Sequence, residues 1–152
     1  MSAKSVYIDS NIFISPLIYE DASDEAADSR MILGMVERGE LVAYTSNITW
    51  DEVVWVVRRV LAKADSTLAG EKLLSFPNLR FVSASEEVVR SAQRLLVEYA
   101  LAPRDAIHLA SALSRSVDVV LSDDPDLDVL EERLKREGSR SFAQRVARTT
   151  KK

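Results

Sequence analysis

Short β-branched runs alternate with longer amphipathic stretches along this chain, and the alternation predicts a strand–helix repeat. Val6-Tyr7-Ile8 reads as a buried strand, with Asp9-Ser10-Asn11 as strand exit and helix N-cap. Ala27, Met31, Met35 and Val36 recur at helical spacing between Ser23 and Arg38, with Leu33 off that face and Gly39 as the stop. Leu41-Val42-Ala43-Tyr44 reads as a second strand and Thr45-Ser46-Asn47 as its turn. A long helix follows through Trp50, Val53, Val54, Val57, Val60 and Leu61. A weaker helix is expected over Leu68 to Ser75, a third strand over Leu79 to Val82, and a helix over Glu86 to Tyr99 with Val89, Ala92, Leu95 and Leu96 inward. Pro103 suits a helix first turn, where its missing N–H costs nothing, and that helix runs to about Ser116. Val117 to Leu121 is the fourth strand, and Asp123 leads into a last helix reaching Lys135, stopped by Gly138.

Strands separated by helices of this length imply a parallel sheet covered on both faces. The expected fold is a three-layer α/β/α sandwich around a mostly parallel sheet of four to five strands. With 152 residues, 47% hydrophobic and 29% charged, the chain is globular in composition and sized for one domain. There is no internal repeat, low-complexity stretch or Pro/Gly/Ser linker. The net charge of −4 is unevenly spread. Residues 139–152 hold five basic side chains (Arg140, Arg145, Arg148, Lys151, Lys152) and no acid, which leaves 15 basic against 24 acidic residues, net −9, in residues 1–138. The division expected is a domain over 1–138 and a basic tail over 139–152, which reads as a disordered end or a phosphate-holding arm. The opening Met1-Ser2-Ala3-Lys4-Ser5 has no secretory pattern. The apolar run Val53 to Val57 is too short to span a bilayer, so a soluble cytoplasmic protein without a membrane partner is expected.

Acidity at first argues against a nucleic-acid partner, but the position of the acids changes that. No cysteine and one histidine exclude a disulfide framework, thiol chemistry and His- or Cys-built metal centres. In open parallel sheets, sites form at the carboxyl ends of strands. Asp9 follows the first strand; Asp123 and Asp124 follow the fourth. Asp51 and Glu52 lie in the first turn or so of the helix after the second strand, and Asp105 lies near the start of the helix before the fourth. Singly, each has an ordinary explanation. Asp9 can cap a helix, Glu52 and Asp105 can meet helix dipoles, and Asp123-Asp124 can be turn acids before Pro125. Jointly they suggest a carboxylate-only site for a hard cation, which would keep mutually repelling acids ionised and suit phosphodiester hydrolysis. His108 reads as a structural hydrogen-bonder rather than a ligand. Trp50 and Trp55, five residues apart and so on different faces, read as packing or dimer contacts, and Arg58-Arg59 as a solvated face or a phosphate contact.

Four segments in order carry a resemblance. They are Val6-Tyr7-Ile8-Asp9-Ser10-Asn11; Tyr44-Thr45-Ser46 through Glu52-Val53; Arg104-Asp105-Ala106-Ile107-His108-Leu109-Ala110-Ser111-Ala112; and Val120-Leu121-Ser122-Asp123-Asp124-Pro125-Asp126. From Val6 to about Leu134 the chain resembles the PIN domain, and within it the small prokaryotic ribonucleases of VapC type. The third segment is close to that family's Asp-Ala-x-His-x-Ala signature. The resemblance implies a catalytic set of Asp9, Glu52, Asp105 and Asp124. Asp9, Asp105, Asp124 and Asp126 would meet Mg²⁺ or Mn²⁺ directly or through water, with Asp123 the alternative to Asp124 by a one-residue slip. Glu52 would bind the ion or position the attacking water, Ser122 and Asn11 would order the site, and Arg104 would contact RNA. It further implies a metal-dependent endoribonuclease leaving 5′-phosphate and 3′-hydroxyl ends, acting as the toxin of a toxin–antitoxin pair. Its partners would be an RNA substrate, a small antitoxin protein and a second copy in a homodimer. The alternatives are an RNA-processing PIN nuclease without an antitoxin, or a catalytically silent PIN-fold protein-binding module. A receiver domain is discarded because the third strand offers no acceptor aspartate.

Overall fold

The computed structural model describes residues 4–20 and 22–151. Met1, Ser2 and Ala3, on which the secretory reading rests, and Lys152 of the basic segment lie outside the described residues. The elements are β1 (Ser5–Ile8), α1 (Ser10–Tyr19), α2 (Asp24–Glu37), β2 (Val42–Ser46), α3 (Ile48–Val60), α4 (Lys63–Leu74), β3 (Leu79–Val82), α5 (Glu86–Tyr99) and α6 (Pro103–Ser114). They continue through β4 (Val119–Leu121), a 3₁₀ turn (Pro125–Leu130), β5 (Arg136–Glu137) and α7 (Ser139–Thr150). The five strands form one sheet in the order β3-β2-β1-β4-β5, every pairing parallel. The three-layer α/β/α expectation holds, with five strands.

The strand pleat sorts the core into two layers, because successive side chains leave opposite faces. Val6 and Ile8 of β1, with Ala43, Val119 and Leu121, pack with Ile12, Ile32, Val36, Val53, Val57 and Leu73 on one side. Tyr7 and Val120 pack with Ala92, Leu95, Ala106 and Leu109 on the other. Val6, Tyr7 and Ile8 are all fully buried, as expected of a central parallel strand covered twice. Each such apolar side chain contributes about 1.5–3 kcal/mol by leaving water. The chain turns after α2 through Gly39, whose φ of 74° suits a residue without Cβ. The Gly39 and Glu40 amides there donate to the Val36 and Met35 carbonyls, closing the helix end.

Four local expectations are corrected. Helix α4 begins at Lys63 rather than Leu68: the Asp65 carboxylate accepts from the Ala62 amide at 3.1 Å and starts it early. In α5 the inward residue is Val88, whereas Val89 is 45% exposed. The helix expected from Asp123 to Lys135 is absent. Leu127, Leu130 and Leu134 have helical spacing and are buried, yet a 3₁₀ turn and a loop bury them, followed by β5. The disordered end weighed for 139–152 is, over Ser139–Thr150, helix α7, packed on α2. Phe142 inserts into the core at 1% exposure, and Arg145 lies over its ring and forks onto Glu137 at 2.9 and 3.0 Å. Among the described residues no helix is long and apolar enough to cross a membrane.

Candidate active site

Strand order reverses beside β1. The chain adds β2 and then β3 on one side of it and β4 and β5 on the other. The crevice outside the carboxyl ends of β1 and β4 is therefore the switch point at which open α/β sheets bind ligands. Asp9 stands there, its amide donating to the Leu121 carbonyl at 3.0 Å, which ties the two strand ends together.

Asp9 is 4% exposed and surrounded by donors. One carboxylate oxygen accepts from the Ser10 amide at 2.8 Å; the other accepts from Ser122 Oγ at 2.7 Å and Asn11 Nδ2 at 3.2 Å. Asn11 Nδ2 also reaches Ser122 Oγ at 3.0 Å, and Ser122 Oγ accepts the Asp124 amide at 3.1 Å. Asn11 and Ser122 thus link the first acid to the loop that carries the last ones. Glu52 reaches the same crevice from α3. One of its oxygens pairs with His108 Nε2 and the other accepts from Ser10 Oγ at 3.2 Å. His108 comes from α6, is 1% exposed, stands 3.4 Å from Asp9 through Nε2 and meets the Tyr7 hydroxyl at 2.7 Å through Nδ1. Burial alone would lower the His108 pKa, but the Glu52 hydrogen bond and the charges of Asp9, Glu52 and Asp105 outweigh it and raise it. Tyr7 is pushed well above its ordinary value, first by burial and then by the Asp9 charge, with Glu52 adding.

The remaining acids are differently placed. Asp105, Asp124 and Asp126 each offer an oxygen within 4.8 Å of the others. The Asp124 carboxylate accepts the Asp126 amide at 2.9 Å, which folds the start of the 3₁₀ turn so that both acids reach the crevice. Among the described residues no hydrogen-bond donor reaches the Asp105 carboxylate. Burial first, then the charges of Asp124 and Asp9, push its pKa up to about 6; Glu52 adds to this and His108 opposes it. Three carboxylate oxygens, one held back from ionising by burial and then by its neighbours' charge, fit a hard divalent cation, which would relieve that repulsion.

The structure therefore divides the expected site residues. Asp105, Asp124 and Asp126 come together as a cluster, while Asp9 and Glu52 stand beside it with their oxygens engaged by protein donors. Asp123, the alternative to Asp124, is used elsewhere: its oxygens accept the Ser139 amide at 2.7 Å and Ser139 Oγ at 2.9 Å, capping α7. Arg104 and Asp51 pair with each other at 3.1 Å on the surface. Three contributors escaped the sequence reading. Tyr7 looks like one more core residue of a strand, and Ser10 like a simple cap. Arg136, which braces the acidic loop by binding Asp128 at 2.6 Å and the Ser122 carbonyl at 2.8 Å, falls just beyond a helix that does not form.

The PIN domain family matches over residues 6–132. No curated protein is a significant match to the chain. Among solved structures, the chain is similar to VapC20 of Mycobacterium tuberculosis, described as a Sarcin-Ricin loop cleaving toxin, at TM-score 0.68 and 12% identity over 82% of this chain and 94% of that one. It is similar to VapBC2 of Rickettsia felis, bound to a promoter DNA fragment, at TM-score 0.64 and 14% identity over 88% and 98%. It is also similar to FitAcB of Neisseria gonorrhoeae at TM-score 0.62 and 15% identity over 88% and 97%.

Proposed function

Because the chain belongs to the PIN domain family, we propose that it is a divalent-metal-dependent endoribonuclease of VapC type, the toxin of a toxin–antitoxin pair acting in the cytoplasm. The observation that carries this reading is the cluster of Asp105, Asp124 and Asp126 at the sheet's switch point, with Asp9 beside it.

In this reading Asp105, Asp124 and Asp126 hold Mg²⁺ or Mn²⁺, and Asp9 joins them directly or through water. When bound, such an ion neutralises charge on the attacked phosphate and makes a water more acidic. The protein's own part is positional. Ser122 and Asn11 lock Asp9, the Asp124–Asp126 turn presents two carboxylates from one short loop, and Glu52 orients the attacking water and accepts its proton. Hydrolysis leaves 5′-phosphate and 3′-hydroxyl ends. Arg104 exchanges its exposed Asp51 partner for an RNA phosphate, at little cost because surface ion pairs are weak. A small antitoxin and a second copy of the chain complete the proposed assembly. The exposed Trp55, Val60 and Leu68 support a partner-covered surface on α3 and α4.

End-labelled RNA incubated with Mg²⁺ or Mn²⁺ should be cut internally, and EDTA should abolish cutting. Asp105→Asn and Asp9→Asn should each lower the rate at least about 100-fold, the scale of losing one transition-state electrostatic contact. Cleavage that survives EDTA, or full activity in Asp105→Asn, overturns the reading. Intact protein that cuts no RNA with either metal points instead to the silent binding module.

A further inference from the structure

Tyr7 of β1 packs into the α5–α6 layer, where it is fully buried, its hydroxyl included. That hydroxyl meets His108 Nδ1 at 2.7 Å, and His108 Nε2 meets Glu52. An ionised carboxylate only accepts, so Nε2 must carry a hydrogen; in the neutral ring Nδ1 is then an acceptor, and the Tyr7 O–H donates to it. In the imidazolium form both ring nitrogens donate and the Tyr7 oxygen accepts. The chain Tyr7–His108–Glu52 therefore closes in either state, and Ser10 Oγ holds the second Glu52 oxygen at 3.2 Å. A glutamate side chain has several free torsions, and these two anchors restrain both of its oxygens.

We propose that Tyr7 and His108 are positioning residues for Glu52: the buried hydroxyl fixes the imidazole, and the imidazole fixes the carboxylate. The catalytic consequence rests on the nuclease reading above; the positioning itself does not. His108 is the chain's single histidine, so its ring nitrogens give an unambiguous ¹⁵N NMR signature.

In the wild-type protein the neutral ring should carry its hydrogen on Nε2, with a slowly exchanging Nε2–H signal that disappears in Glu52→Ala, which removes the acceptor. Tyr7→Phe, which removes only the hydroxyl, should broaden or shift the ring signals and lower kcat about 10-fold or more with KM unchanged, the scale seen for groups that orient a site's direct ligands. His108→Gln keeps a donor toward Glu52 and should recover part of the kcat lost in His108→Ala; a merely structural role predicts no such rescue. Wild-type kcat in Tyr7→Phe overturns the proposal, as does a ring hydrogen on Nδ1 or a ring spectrum unchanged in Glu52→Ala. If the wild-type protein cuts no RNA, the nuclease reading falls, and the ring spectra alone decide whether Glu52 is held.

Discussion

A half-buried carboxylate crowded by other acids holds its proton to a higher pH, and Asp105 is in that position. Its value of about 6 in the folded chain exceeds the roughly 3.9 of an unfolded aspartate, so between these the folded state binds more protons. Stability then falls as pH rises through that window. His108, also raised, acts in the same sense, since its contribution is lost as pH rises through its folded value. The melting temperature of the EDTA-treated protein should therefore drop between pH 5 and pH 7.5, and Mn²⁺ should restore it at the higher pH. Asp105→Asn should flatten the fall; equal slopes in variant and wild type would count against the assignment. At this scale the acids are legible in the sequence, because a carboxylate at a strand end is visible in one dimension. Tyr7 and Ser10 are not, since what distinguishes them is the side chain their hydroxyls meet, 101 and 42 residues away.

Elements were legible where local pattern and tertiary burial agree. Pro103 at the start of α6 and Asp9-Ser10-Asn11 at the start of α1 are local signals, and the helices start where they point. The region after β4 fails because Leu127, Leu130 and Leu134 satisfy helical spacing while the chain there is short and acidic, with Asp124 and Pro125 setting a tighter turn. Helix α7 was hidden by its charge: the five basic residues of 139–152, three of them in the helix, suggest a solvated tail, yet Phe142 and Val146 pack in the core layer of α2 and Ala143 is buried. Phe142→Ala should cost about 3–5 kcal/mol in urea unfolding, the scale for a buried phenylalanine. A change below about 1 kcal/mol would mean α7 is not docked in solution. Its pairing with the sheet is reinforced by Glu137, whose own burial would raise its pKa but whose fork to Arg145 holds it below the usual glutamate range.

Across the whole molecule, negative charge is concentrated at the crevice where, in the nuclease reading, a polyanion approaches. A body near −9 repels RNA unless the crevice charge is offset. Glu52→Gln protein, which keeps the Asp105 cluster, should therefore bind labelled RNA more tightly when Mg²⁺ is added at constant ionic strength. Fluorescence anisotropy reads this directly, and an affinity indifferent to Mg²⁺ would sink the view that a cation mediates the contact.

By itself the sequence determined the alternation of strands and helices, hence the parallel three-layer fold, because periodicity and capping act over a few residues. It also determined the available chemistry: without cysteine, and with one histidine, only oxygen-rich ligation remains. Tertiary structure alone decided which acids share a crevice. Of the adjacent Asp123 and Asp124, the first meets Ser139 at the start of α7 and the second shares the crevice with Asp105 and Asp126. The engagement of Glu52 by a buried tyrosine and histidine depends on side chains brought together from β1, α3 and α6. Contacts between residues so far apart in the chain leave no periodic trace for a one-dimensional reading to find.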